Sequence, residues 1–103
     1  MGLAGIDAPE TPMREPYAAK AKKHLAKMIL NKTVDIRGYG LGPINRVLGV
    51  IQLGDKKINL EMGRAGLAIA YRGRLPKGFD LTPYLEAETE AREARRGMWR
   101  SEV

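Results

Sequence analysis

The 103-residue sequence contains no cysteine, which excludes disulfide bonds and thiolate metal sites. Its one histidine, His24, has no second histidine with which to share a metal, and it is expected to face solvent on a helix. The one tryptophan, Trp99, is expected to pack as core beside the last helix. No apolar run reaches the length of a membrane span, and no internal repeat or linker is present. The sequence therefore predicts a single domain over residues 1–103.

The chain has fewer acidic than basic residues. Eighteen Lys and Arg against 12 Asp and Glu leave a formal net charge of +6 at pH 7. This excess indicates a polyanionic partner such as nucleic acid. Many small proteins are equally basic and bind nothing in particular, so charge alone leaves both interpretations open.

The hydrophobic spacing predicts an α+β fold, because strands and helices are mixed without a regular βαβ alternation. Lysines of the first predicted helix lie mostly off its apolar stripe, which is typical of a solvated face. The expected strands cover residues 2–6, 33–39, 46–53 and 67–71. The expected helices run from Pro16 to Asn31, from an N-cap at Asn59 to Gly66, and from an N-cap at Thr82 to Gly97.

One short motif, Ile6–Thr11, carries the most chemical information. Asp7 closes a short apolar run, and Pro9 stiffens the turn that separates Asp7 from Glu10. This arrangement allows one carboxylate to bind a divalent cation and the other to activate a water, which is what phosphodiester hydrolysis requires. The same pattern is also typical of a plain turn followed by a helix cap.

Three further patterns share an order and spacing with this motif. With Leu3–Thr11, the segments Asn45–Gly49, Asn59–Ala68 and Gly97–Trp99 resemble the staphylococcal nuclease family over nearly the whole chain. The resemblance implies an OB-fold-type β-barrel with three helices, of which the first strands fall outside this chain. It also implies Ca²⁺-dependent hydrolysis of phosphodiester bonds in DNA or RNA.

The resemblance also implies roles for individual residues. By position, the Asp7 carboxylate and the Ala8 carbonyl are implied metal ligands, and Glu10 is implied to activate the attacking water. Arg46 is implied to stabilise the charge that develops on the phosphate. The residues implied to contact substrate are Tyr71, Arg72 and Arg74.

The chain departs from the family pattern at several positions. An Asp-Gly-Asp turn that supplies a second metal carboxylate is absent, and Gly2 stands where the family has an arginine. Before the arginine that corresponds to Arg46, the family often has a polar run that includes a tyrosine. This chain has Gly42–Asn45 at that place. These departures favour an alternative, a non-catalytic OB-fold module that binds nucleic acid or protein. An incomplete barrel also predicts a homodimer that forms through exposed strand edges.

Overall fold

The structure, a computed structural model, describes the backbone of residues 2–7, 15–41, 47–71, 73 and 75–101. No helix within these ranges is both long and apolar enough to cross a membrane. The described elements, in chain order, are β1 (Gly2–Leu3), β2 (Ile6–Asp7), α1 (Glu15–Ile29), β3 (Asp35–Leu41), β4 (Val47–Leu53), β5 (Lys56–Lys57), α2 (Ile58–Arg64), β6 (Ile69–Ala70), α3 (Thr82–Glu93) and a C-terminal 3₁₀ helix (Gly97–Ser101).

The strands form two sheets. In the larger one, β4 lies between β1, which is parallel to it, and β3, which is antiparallel; β5 also pairs with β4. In the smaller one, β2 pairs antiparallel with β6. Three helices with mainly antiparallel sheets confirm the predicted α+β class.

The continuous strand expected over residues 2–6 is wrong. Ala4 and Gly5 form a turn, and the two halves pair with different partners. Gly5 has a φ of +84°, and a Cβ at this position would lie 2.8 Å from the Phe79 ring. Glycine is therefore required both by the backbone conformation and by the close packing of the ring.

The helices bury the faces that the spacing predicts. Partly or fully buried residues of α1 contact the buried residues of α2 and of the chain that follows it, and the inner face of α3 packs on α2 and β6. The α1 residues at this contact are Tyr17, Ala21, Leu25 and Met28, and they pack on Met62, Leu67 and Ala68. Those of the α3 contact are Tyr84 and Ala87, on Leu60 and Ala70.

Both ends of α3 differ from expectation. The N-cap is Leu81, so Thr82 is already helical, and the Asp80 carboxylate accepts a hydrogen bond from the Thr82 N–H at 3.0 Å. Hydrogen bonding from Thr82 lowers the pKa of Asp80. The helix ends at Glu93 rather than at Gly97, because Arg95 has a left-handed φ of +54° that an α-helix cannot continue through.

A close backbone contact at a second glycine, Gly97, positions the C-terminal 3₁₀ helix. The Trp99 side chain is only 2% exposed and packs with Ala91 and Met98, which confirms its predicted core position. The Met98 N–H donates to the Gly66 carbonyl at 2.9 Å. A Cβ on Gly97, whose φ is +53°, would overlap that carbonyl and lie 2.7 Å from the Ala65 oxygen. The two chain segments thus touch backbone to backbone.

We expect Gly97→Ala to lower the free energy of unfolding by about 3–5 kcal/mol, since left-handed backbone strain adds to overlap with a rigid carbonyl. Gly54→Ala is the matched control, because Gly54 has a similar φ of +62° and its Cβ would meet open space. The control should lose only about 1–2 kcal/mol. Urea unfolding of both variants measures the difference, and equal losses would show that the contact has no energetic weight.

Candidate active site

The short β2–β6 sheet positions the first residue of the predicted site. Asp7 is the last residue of β2 and stands opposite Ile69, while Ile6 stands opposite Ala70. Beyond this ladder, the Tyr71 N–H donates to the Gly5 carbonyl at 2.9 Å. Asp7 and Tyr71 therefore lie on neighbouring segments of chain that are held together by backbone hydrogen bonds.

The remaining predicted site residues lie outside the described residues: Ala8, Glu10, Arg46, Arg72 and Arg74. Of Asp7, only the backbone is described. Arg46 directly precedes β4 in the sequence. Among the described side chains, no group of three or more His, Asp or Glu could hold a metal ion. The assigned roles of these residues stay predictions.

A buried asparagine fixes the turn that leads into β2. Asn59 is fully buried, and its Oδ1 accepts the Ile51 N–H at 3.1 Å. Its Nδ2 donates to the Ala4 carbonyl at 2.9 Å and to the Gly49 carbonyl at 3.0 Å. The expected N-cap role of Asn59 is wrong, because Lys57 is the N-cap of α2. The amide instead joins the Ala4 turn to β4.

A buried carboxylate supports the other strand of the small sheet. Glu88 projects from the inner face of α3 and is 5% exposed. Its Oε1 accepts a hydrogen bond from the Ala70 N–H at 3.2 Å. Because Ala70 stands opposite Ile6, this bond ties the strand that supports β2 to α3.

Three aromatic rings pack beneath the turn before Asp7. Phe79 lies 5.1 Å from Tyr39 in an edge-on arrangement and 5.3 Å from Tyr84. Both Phe79 and Tyr84 approach Gly5. Burial, and secondarily the proximity of Tyr39, raises the pKa of Tyr84 to about 12. Tyr84 stays neutral near pH 7, and its ring packs against the Gly5 turn.

Tyr71 is the predicted substrate-contacting residue whose side chain is described. It is half-buried, and its phenol lies so close to Gly73 that a Cβ there would overlap the Tyr71 oxygen. A residue with a side chain at position 73 would displace the ring. The phenol thus stands beside the chain that follows β6.

Sequence reasoning did not identify the two residues that hold this region in place. Asn59 is an uncharged polar residue between the apolar residues Ile58 and Leu60, which is a signal for a buried polar group. Glu88 follows Tyr84 by four residues, so it falls on the same inward helix face. Spacing indicates the burial of Glu88, but it does not reveal the backbone partner.

Known proteins match this chain over nearly its full length. The family described as "Staphylococcal nuclease homologue" matches residues 1–101. A "Probable endonuclease LCL3" of Verticillium alfalfae is 34% identical over 94% of this chain and 37% of its own length. An "Uncharacterized endonuclease" of Haemophilus influenzae is 35% identical over 94% of this chain and 51% of its own length. In both, the chain spans about half or less of the relative.

A solved structure supports the fold independently. The extended Tudor domain of Drosophila melanogaster Tudor-SN superimposes with a TM-score of 0.78 at 19% identity, and it covers 94% of this chain and 45% of that one. Together with the described elements, this likeness defines an OB-like α+β domain. The chain belongs to the staphylococcal nuclease homologue family, as the resemblance of its motifs predicts.

We expect Asn59→Ala to lower the free energy of unfolding by about 3 kcal/mol or more, since it leaves buried backbone groups without their partners. Asn59→Asp keeps the side-chain shape and the oxygen that accepts the Ile51 N–H. Its second oxygen replaces the Nδ2 donor and faces the Ala4 and Gly49 carbonyls. Its buried carboxyl should have a pKa above the unfolded value of about 3.9, so its folded state loses stability as pH rises above that value. Urea unfolding at acid and neutral pH measures this trend, and a pH-independent deficit would contradict the assigned contacts.

Proposed function

We propose that the domain is a Ca²⁺-dependent nuclease that hydrolyses phosphodiester bonds of DNA or RNA. The observation that carries the proposal is the position of Asp7 at the end of a strand held by β6, in a chain whose relatives are named endonucleases. A fixed strand end suits a metal carboxylate, because the ligand has to be positioned before the substrate arrives.

The residues assigned to the metal fit calcium in their chemistry. The Asp7 carboxylate and the Ala8 carbonyl are hard oxygen donors, which Ca²⁺ prefers. Calcium bound there would supply a Lewis acid that neutralises charge on the scissile phosphate. The backbone ladder between β2 and β6 limits how far Asp7 can move, and this support lowers the cost of organising the site.

The remaining roles concern proton transfer and charge. Glu10 accepts a proton from the attacking water, and Arg46 uses its guanidinium fork to hold two phosphate oxygens as negative charge develops. Tyr71, Arg72 and Arg74 contact the nucleotide and its backbone. Tyr71 supports this assignment, because its half-buried side chain belongs to a segment whose backbone bonds to Gly5, two residues before Asp7.

We expect Glu10→Gln to reduce cleavage of single-stranded DNA in Ca²⁺ by about 10²–10⁴-fold, since the glutamine cannot accept a proton. Glu93→Gln is the matched control, because Glu93 is an exposed glutamate at the end of α3 and should keep full activity. Initial rates on a fluorescent oligonucleotide, with Ca²⁺ or with a chelator, measure both effects.

The outcomes of this assay separate the two functional hypotheses. Absence of cleavage by the unmodified protein would overturn the nuclease proposal for this chain. Salt-dependent binding without turnover would support the non-catalytic nucleic-acid-binding module instead. Cleavage that persists in chelator would remove the calcium requirement but leave the nuclease proposal standing.

We further propose a homodimer that forms through the free edge of β3. Within the described residues, β3 pairs with β4 alone, so its other edge presents unpaired backbone groups. Ile36 is 55% exposed, although Ile51 opposite it on β4 is 5% exposed. The buried face of the sheet therefore ends at β4, and an apolar side chain stands uncovered on the edge strand.

We expect Ile36→Lys to shift the protein from dimer to monomer in light scattering, since a lysine on an edge strand opposes strand pairing. Leu30→Lys is the control, because Leu30 is also an exposed aliphatic residue, at 67%, but lies at the end of α1. A monomeric unmodified protein at every concentration tested, or equal effects of both substitutions, would refute the β3 edge as the dimer contact.

A further inference from the structure

We propose that the outer face of α1 is a second contact surface for nucleic acid, which binds the strand beyond the nucleotides at the cleavage site. We define the α1 basic face as Lys22, Lys23, Lys27 and the following Lys32. The proposal rests on the nuclease function proposed above and names a binding surface that the site does not include.

The orientation of α1 follows from what it buries. Ala21, Leu25 and Met28 turn toward α2, so the lysines between them point away from the core. All four side chains of the α1 basic face are exposed. This confirms the solvated face predicted from sequence, and it leaves these ammonium groups accessible to a ligand.

Within the part of the chain that the structure describes, no carboxylate forms an ion pair with the lysines of this face. Among the described residues, the ion pairs join Arg64 and Arg96 to carboxylates of α2 and α3, and no lysine of the α1 basic face takes part. Unpaired exposed lysines hold counterions, and a polyanion that displaces these ions gains binding free energy from their release.

Charge is also segregated between two helices. Within Glu15–Ile29, α1 carries four lysines and one glutamate. Within Thr82–Glu93, α3 carries four glutamates and one arginine. Of the α3 glutamates, Glu88 is buried and Glu90 pairs with Arg64 and Arg96, so the useful contrast is the unbalanced positive charge on α1, which gives that helix a positive field.

The composition of the face favours nucleic acid over a lipid surface. Ala19 and Ala26 lie beside the lysines, and Leu30 is the one large apolar side chain exposed at the helix end. A membrane-binding helix needs a broad apolar face to insert, and α1 buries its own against α2. Lys23 and Lys27 lie about 6 Å apart along the axis, the rise of about two nucleotides in a stacked strand.

The position of α1 connects this face to the proposed site. Ile6, which directly precedes Asp7, packs in the same apolar cluster as Tyr17 and Leu25 of α1. The helix and the strand that ends at Asp7 therefore share one apolar cluster. In this proposal, a nucleic-acid strand that extends from the site toward α1 meets the lysines of its outer face.

The test compares two double variants that remove the same charge, Lys23→Gln/Lys27→Gln and Lys56→Gln/Lys57→Gln. Lys56 and Lys57 are exposed on β5, outside the α1 basic face. Binding of a fluorescent oligothymidylate of about 20 nucleotides is followed by anisotropy in chelator, over a range of salt concentrations. We expect the α1 variant to flatten the log–log salt slope by about 1.4 and to weaken binding roughly tenfold at 0.1 M salt.

The β5 variant should keep a slope close to that of the unmodified protein. Equal losses in both variants would overturn the proposal, because net charge alone would then explain binding. Loss of sedimentation with phosphatidylserine vesicles, together with unchanged oligonucleotide binding, would overturn it in favour of a lipid surface.

Cleavage of a dinucleotide substrate in Ca²⁺ separates this proposal from the nuclease proposal. The unmodified protein and the β5 variant should cleave it at equal rates, because Lys56 and Lys57 lie outside both the site and the α1 basic face. No dinucleotide cleavage by any variant, together with a flattened slope in the α1 variant, would refute the nuclease alone. Dinucleotide cleavage with an unchanged slope would refute the α1 surface alone.

Discussion

The fold around the candidate site depends on the buried amide of Asn59. One side chain satisfies an N–H and two carbonyls that belong to two different chain segments. The chain has to leave the large sheet at the Ala4 turn so that β2 can pair with β6. Backbone groups at this point lose their sheet partners while they are buried away from water. Because unpaired buried groups are costly, the amide determines where the chain can turn.

The same principle applies to the rest of the small sheet. Two-residue strands have too few ladder bonds to be stable alone. The β2–β6 pair persists because α3 accepts an N–H from Ala70 through Glu88, and because Gly5 lets two aromatic rings pack against the turn. The end of β2, where Asp7 stands, is thus held by polar contacts and close packing, which suits the metal-ligand role proposed for this residue.

Periodicity predicted α1, β4 and α3 because their inward residues recur at regular spacing along a single element. It did not predict the break at Gly5, because a local pattern cannot tell which partner strand a short segment will join. It also misassigned Asn59 as a cap, because a polar residue at the start of a helix can either cap that helix or bond to backbone groups of a neighbouring segment. Asp7 and Glu10 were proposed from a local motif and the family it resembles, and their roles stay predictions, whereas Glu88 acquires its role from a contact with a residue 18 positions away.

The proposed site faces an electrostatic conflict, because the carboxylates assigned to the metal and to the base carry the same charge as a nucleic-acid substrate. A divalent cation removes part of this repulsion locally, but a nucleic-acid strand extends far beyond the cation. In the proposal the compensating charge lies on α1, which shares an apolar cluster with Ile6 beside Asp7, while α3 carries four glutamates. Such a segregation of charge would let carboxylates serve the chemistry while the overall field still attracts a polyanion.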